Sequence, residues 1–174
     1  MTKTTLSGQK IAILVAAGFA EKNFIEIQKM LMGQNAQLKV ISPSTGLVQG
    51  RNGSQLGMSY PVDSQLAETL AVDYDALIIP SGEEHLATLA EELHAARIIK
   101  AFLRENMPVL VQGDALNLIS EIDKEIQADL LRGQGKIGRQ NRFLWANDEA
   151  TIGTVTREFV SVCLEKQDND SVAA

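Results

Sequence analysis

The chain is poor in the residues that most enzymes and metalloproteins use for chemistry. Its 174 residues include one cysteine, Cys163, and two histidines, His85 and His94. A single cysteine excludes an internal disulfide. Cys163 also falls in the series Val155, Phe159, Val162, Cys163, spaced like one face of a helix, so it reads as a buried thiol packing as a small hydrophobe. The histidines stand about two and a half helical turns apart, and neither has a carboxylate or thiolate at ligand spacing. No metal or other cofactor is therefore expected.

Positive charge is scarce as well. Lys and Arg number 16 against 22 Asp and Glu, a net charge of −6. That balance lacks the basic footprint that phosphate neutralisation requires, so a nucleic-acid partner is not expected. The one basic cluster, Arg132, Lys136, Arg139 and Arg142, lies among glycines and reads as a solvated loop rather than an anion site. No apolar run reaches 18 residues, and the opening M-T-K-T-T-L-S-G-Q-K lacks the apolar centre of a secretion signal. The expectation is a cytoplasmic protein with no membrane partner.

What is present is a series of short apolar runs separated by helical patterns. K-I-A-I-L-V-A at 10–16 is continuous enough for a central strand buried on both faces. Phe24, Ile27, Met30 and Leu31 follow at helical spacing, stopped at Gly33, and Leu38 to Ile41 is a second strand. Strand, helix and strand in that order predict a right-handed crossover and a parallel sheet. Residues 43–60 carry turn glycines and weak alternation, consistent with short antiparallel excursions. Asp75 to Ile79 is the next buried strand, ending in Pro80-Ser81-Gly82, with Glu83 and Glu84 where a helix N-terminus favours negative charge. Leu86, Leu89, Leu93, Phe102 and Leu103 then mark one or two helices.

The most informative stretch is N-M-P-V-L-V-Q-G-D-A-L-N-L-I at 106–119. Val109 to Val111 predicts a strand, Gly113 an abrupt turn, and Asp114 a helix cap. In an open parallel sheet ligands sit at the carboxyl ends of the strands, so residues 112–114 mark the expected working edge. Beyond it, helical spacing runs through Glu121 to Leu131, a loop or hairpin surrounds Lys136 and Ile137, Phe143 to Trp145 is a last strand, and Thr151 to Lys166 a terminal helix. A single domain over 9–166 between flexible tails at 1–8 and 167–174 is the expected organisation.

Together, K-I-A-I-L-V-A-x-G-F, Y-D-A-L-I-I-P-S-G and P-V-L-V-Q-G-D-A-L-N-L-I resemble the ThiJ/PfpI superfamily over residues 9–120. The Gly113-Asp114-Ala115 turn is most similar to that of the C-terminal domain of large-subunit catalases. The resemblance implies a flavodoxin-like, class I glutamine amidotransferase-like three-layer sandwich. Catalytic members carry a cysteine at the strand-to-helix elbow, commonly followed by histidine, and a glutamate at the start of the first helix. Aligning the elbows puts Gln112 at the cysteine position and Gly113 at the histidine position. The glutamate position falls within Ala20 to Asn23, best on Asn23, with Glu21 close by.

An amide is no nucleophile and glycine cannot shuttle a proton. The expected function is thus a non-catalytic ThiJ/PfpI-like domain acting as a binding, oligomerisation or chaperone-like module. The alternative is a hydrolase or lyase of altered chemistry using His85 and Asp114. The candidate pocket for a small ligand comprises Gly82, Glu84, His85, Gln112, Gly113 and Asp114. Failing a pocket, Asp114 only caps a helix and His85 fills a surface turn. Relatives also imply a homodimer or higher homo-oligomer, formed through the first strand-helix unit.

Overall fold

A computed structural model describes the backbone of residues 5–173 and the side chains of residues 5–165. Its elements in chain order are β1 (Lys10–Leu14), β2 (Phe19–Ala20), α1 (Glu21–Gly33), β3 (Gln37–Ser42), β4 (Leu47–Asn52), β5 (Gln55–Pro61) and β6 (Ser64–Gln65). Two single 3₁₀ turns follow, then β7 (Ala76–Ile79), α2 (Glu83–Ala90), α3 (Leu93–Arg104), β8 (Val109–Gln112), α4 (Ala115–Ile122), α5 (Ala128–Arg132), β9 (Ile137–Gln140), β10 (Phe143–Ala146) and α6 (Ile152–Ala173).

Among the described residues the main sheet has seven strands in the order β6-β3-β1-β7-β8-β10-β9. Every pairing is parallel except β9 with β10, an antiparallel hairpin at the edge. The chain first builds outward from β1 to β3 and then returns to place β7 on the other side of β1. That reversal opens a crevice at the carboxyl ends of the central strands.

Burial on both faces accounts for the continuous apolar runs. Ala12, Leu14, Leu77, Ile79, Val109 and Val111 face a layer supplied by α2, α3, α4 and α5, through Leu89, Ile98, Phe102, Leu116, Ile119 and Leu131. Ile11, Ile13, Ile78, Leu110 and Leu144 face the opposite layer, where α1 and α6 bring Phe24, Ile27, Leu31, Val155, Phe159 and Val162. Cys163 is buried in that second layer, as the helical spacing predicts. The three-layer α/β sandwich with a mostly parallel sheet is the architecture expected from the sequence.

The antiparallel excursion is a β4/β5 hairpin that, with β2, forms a separate three-stranded sheet. Phe19 and Phe24 pack on Tyr60 of this hairpin at ring-centroid distances of 5.8 and 4.5 Å. Two helical expectations are corrected. The pattern from Glu121 to Leu131 is broken after Ile122, because Asp123 Oδ1 accepts from the Glu125 N–H at 2.9 Å and stops the helix. The final helix does not end at Lys166 but runs to Ala173, so the expected tail at 167–174 is helical up to its last described residue. At the other end, residues 1–4 of the expected tail lie outside the described residues, and Leu6 is fully buried in the α1/α6 layer.

The basic cluster is dispersed. Arg132 contacts Asn117, Arg139 pairs with Glu165 at 2.6 Å, and Arg142 donates to the Asn106 carbonyl at 3.2 Å.

Candidate functional site

The site follows from where β8 stops. Gln112 is still strand: it stands opposite Ala146 of β10 and is only 6% exposed. Gly113 is the residue that turns, with φ of +53°, in the left-handed region that glycine enters without a Cβ penalty. Its N–H donates to the Ala146 carbonyl at 2.8 Å, and its own carbonyl accepts from Trp145 Nε1 at 3.0 Å. The tip of the strand-to-helix turn, where an elbow nucleophile would project, is therefore Gly113 and not Gln112. The alignment that placed Gln112 at the tip is displaced by one residue, and the position carries no side chain.

The vacant side-chain position is occupied by a neighbour. A Cβ on Gly113 would lie 2.9 Å from both carboxylate oxygens of Asp148. Asp148 comes from the loop after β10, which reaches the elbow because β10 lies directly beside β8. Asp148 Oδ1 accepts from Ser81 Oγ at 3.3 Å, and Ser81 Oγ accepts from Asn23 Nδ2 at 2.8 Å. An amide, a hydroxyl and a carboxylate, from α1, the turn after β7 and the loop after β10, thus form one directed hydrogen-bond chain. Asn23 stands in it at the position that the resemblance gives to glutamate.

The turn after β7 is locked to the turn after β1. Gly82 has φ of +135°, and a Cβ there would sit 2.8 Å from the Ala20 nitrogen and the Gly18 carbonyl. That close approach lets the Ala20 N–H donate to the Ser81 carbonyl at 2.8 Å. Gly82 thereby holds Ser81 under Asn23.

His85 is neither in a surface turn nor in a pocket. It is fully buried, with Nδ1 accepting from the Ala16 N–H at 3.1 Å and Nε2 donating to the Pro80 carbonyl at 2.8 Å. This arrangement requires the neutral ring protonated on Nε2. Burial lowers its pKa from 6.5 to about 4, against a smaller upward pull from the Pro80 carbonyl. Both ring nitrogens being engaged, His85 has no lone pair to offer a substrate.

The remaining candidates are also apart from one another. Asp114 is exposed and, though at the N-cap position just before α4, its side chain makes no capping hydrogen bond. Glu84 pairs with Arg51 at 3.3 Å and packs where Gly18 lacks a Cβ, beside a separate open cleft of about 640 Å³. The His85 and Asp114 partnership is therefore corrected: one is sealed in the core and the other projects into water.

Glu21, the other residue near the glutamate position, is buried at the start of α1. Its carboxylate accepts from Asn52 Nδ2 at 3.2 Å and from the Met58 N–H. It plugs the irregularity between β4 and β5, where the pairing register shifts between Gln49 and Arg51, and so serves the hairpin rather than the elbow. Among the described residues no group of three His, Cys, Asp or Glu is placed to hold a metal ion, and no helix is long and apolar enough to cross a membrane.

Comparison with known proteins bears on this geometry. Residues 9–120 match the DJ-1/PfpI family. The chain belongs to that family. Catalase HPII from Pseudomonas aeruginosa is 27% identical over 117 residues, covering 67% of this chain and 16% of the catalase. The chain thus spans under a fifth of the length of that relative. Catalase HPII carries a DJ-1/PfpI-like C-terminal domain, to which this DJ-1/PfpI domain is related. Among solved structures, a ThiJ/PfpI domain protein from Brachyspira murdochii aligns with a TM-score of 0.70 at 19% identity, covering 94% of this chain and 98% of that one. A two-domain protein from Anabaena variabilis with DJ-1/ThiJ/PfpI-like and ferritin-like domains aligns with a TM-score of 0.75 at 16% identity, covering 88% of this chain and 47% of that one. These likenesses are of fold.

Asp148 was not legible as a site residue. The signal for it is the polar run Asn147-Asp148-Glu149 directly after an apolar strand, which becomes meaningful only once that strand is known to lie beside β8.

Proposed function

We propose that this DJ-1/PfpI domain works without covalent catalysis, as a binding, oligomerisation or chaperone-like module similar to the catalase C-terminal domain. One observation carries the reading: the tip of the elbow is Gly113, which has no side chain, and the Asp148 carboxylate fills the space a nucleophile's Cβ would need. A carboxylate facing a serine at 3.3 Å without an intervening imidazole is a weak base for a hydroxyl. His85, the only nearby imidazole, is committed at both nitrogens.

The test is a turnover screen with α-oxoaldehydes, glycated amines, peptides and amides. The wild-type protein is expected to give no rate above buffer. Robust turnover abolished by Asp148→Ala or Ser81→Ala would overturn the proposal in favour of an enzyme of altered chemistry built on the Asn23, Ser81 and Asp148 chain.

Self-association fits the same reading. Met32 of α1 and Leu47, Leu56 and Met58 of the β4/β5 hairpin are large apolar side chains left 61–70% exposed. β5 is also a sheet edge with one side unpaired, the kind of surface that a second copy can cover. A homodimer through the α1 and hairpin region is the expected assembly, and light scattering at several concentrations measures it.

A further inference from the structure

A second cleft, of about 640 Å³, opens at the amino edge of the sheet, the end opposite the elbow. Its floor is Tyr74 and Met107, which lie just before β7 and β8, and its walls come from the outer face of α3 and from Arg142 in the β9/β10 turn. The volume is within the range of about 300–1,000 Å³ typical of small-molecule sites.

Two features of this cleft bear on what it could hold. Leu70 and Val72 on its rim are 55% and 85% exposed, so apolar surface is left in water beside a ready concavity. The lining also carries Arg97, Arg104 and Arg142 against a single acid, Glu105, in a chain whose net charge is −6.

Arg97 and Arg142 are held rather than neutralised. Arg97 Nη2 donates to the Leu66 and Thr69 carbonyls at 3.2 and 2.9 Å, and Arg142 Nη1 to the Asn106 carbonyl at 3.2 Å. Arg104 meets Glu105 through Nε at 3.4 Å in an exposed pair. Covering nearby apolar surface with arginine stems would be an ordinary structural role, yet Leu70 and Val72 remain uncovered. Carbonyl oxygens orient a guanidinium without cancelling its charge, and the planar fork that remains matches a carboxylate.

We propose that the cleft bounded by Leu70, Val72, Met107, Arg104 and Arg142 binds a small amphipathic carboxylate, its head on the arginines and its apolar chain across Leu70, Val72 and Met107. The site is independent of the elbow and would stand whether or not the elbow is catalytic.

The experiment titrates the full chain with decanoate, decyltrimethylammonium and acetate by calorimetry, and maps decanoate by backbone amide chemical shifts. Decanoate should bind saturably and at least tenfold more tightly than either comparator. Its affinity should fall with added salt and drop about tenfold or more in Arg104→Gln/Arg142→Gln, through loss of charge-assisted hydrogen bonds. Arg97 is left unchanged because it holds the backbone of the lead-in to β7; circular dichroism and thermal unfolding verify that the double variant is folded. Equal affinity for decyltrimethylammonium would reduce the cleft to a greasy surface, and equal affinity for acetate to a charge effect. Either result overturns the proposal, as do unchanged affinity in the folded double variant and shift changes centred away from 70–74 and 97–107.

Discussion

Replacing His85 with asparagine tests whether a neutral imidazole is built into the core, and the effect should depend on pH in a calculable way. In the folded chain burial brings the His85 pKa from 6.5 down to about 4. Above pH 6.5 the ring is neutral in both folded and unfolded chains, and its full contribution to stability is present. As pH falls from 6.5 towards 4 the unfolded chain takes up a proton that the folded chain refuses, so stability is lost across that window and levels off below it. A gap of that size at about 1.4 kcal/mol per unit corresponds to roughly 3 kcal/mol. At pH 7 the variant also loses the acceptor for the Ala16 N–H and the donor to the Pro80 carbonyl, both buried, at a cost of about 1–3 kcal/mol for each group left unpaired. Urea denaturation of wild type and His85→Asn at pH 7 and pH 4 gives the four free energies required. The difference between the proteins should shrink by about 3 kcal/mol at pH 4. Parallel pH profiles would refute the assignment of a buried neutral ring.

Three further outcomes follow from the structure. Gly82→Ala should cost about 3 kcal/mol or more, because φ is +135° and the added Cβ meets backbone atoms at 2.8 Å; denaturant midpoints measure it, and a near-neutral effect would mean the two loops are not locked together. Glu21→Ala should destabilise by about 1–3 kcal/mol by removing the buried carboxylate that accepts from the part-buried Met58 N–H and Asn52 Nδ2. Amide exchange should then accelerate selectively in the β4/β5 hairpin, and unchanged protection there would count against the plug. Leu56→Glu/Met58→Glu should shift a dimer towards monomer in light scattering while leaving the unfolding midpoint of the monomer nearly unchanged, as both side chains are exposed; an unaltered mass at every concentration would remove the hairpin from the interface.

The layered fold was readable because its strands are buried on both faces and its helices are amphipathic. Ile11 to Leu14 and Ala76 to Ile79 are continuous apolar runs, and Phe24, Ile27 and Leu31 line one stripe of α1. The same burial conceals the site. A strand buried on both faces shows no alternation, so V-L-V-Q-G does not show where the strand ends; Gly113 alone signals the turn, and aligning Gln112 with the family cysteine runs against that signal. The burial of His85 is not legible because its reason is remote in sequence: the Ala16 N–H, two residues past the end of β1, finds its acceptor on α2. Asp148 escaped for a similar reason, since its role depends on β10 being inserted between β8 and β9. The resemblance points to Asn23, but the contact of Asn23 with Ser81, between α1 and the turn after β7, is one that no local pattern encodes.

The claim at the centre of the account is that the elbow presents no group able to take up a substrate covalently. Intact-mass measurement after incubation with p-nitrophenyl acetate, with peptide mapping of any acyl adduct, tests this most directly. The wild-type protein is predicted to carry no stoichiometric adduct at the elbow, whereas acylation mapped to Ser81 and lost in Asp148→Ala would contradict it.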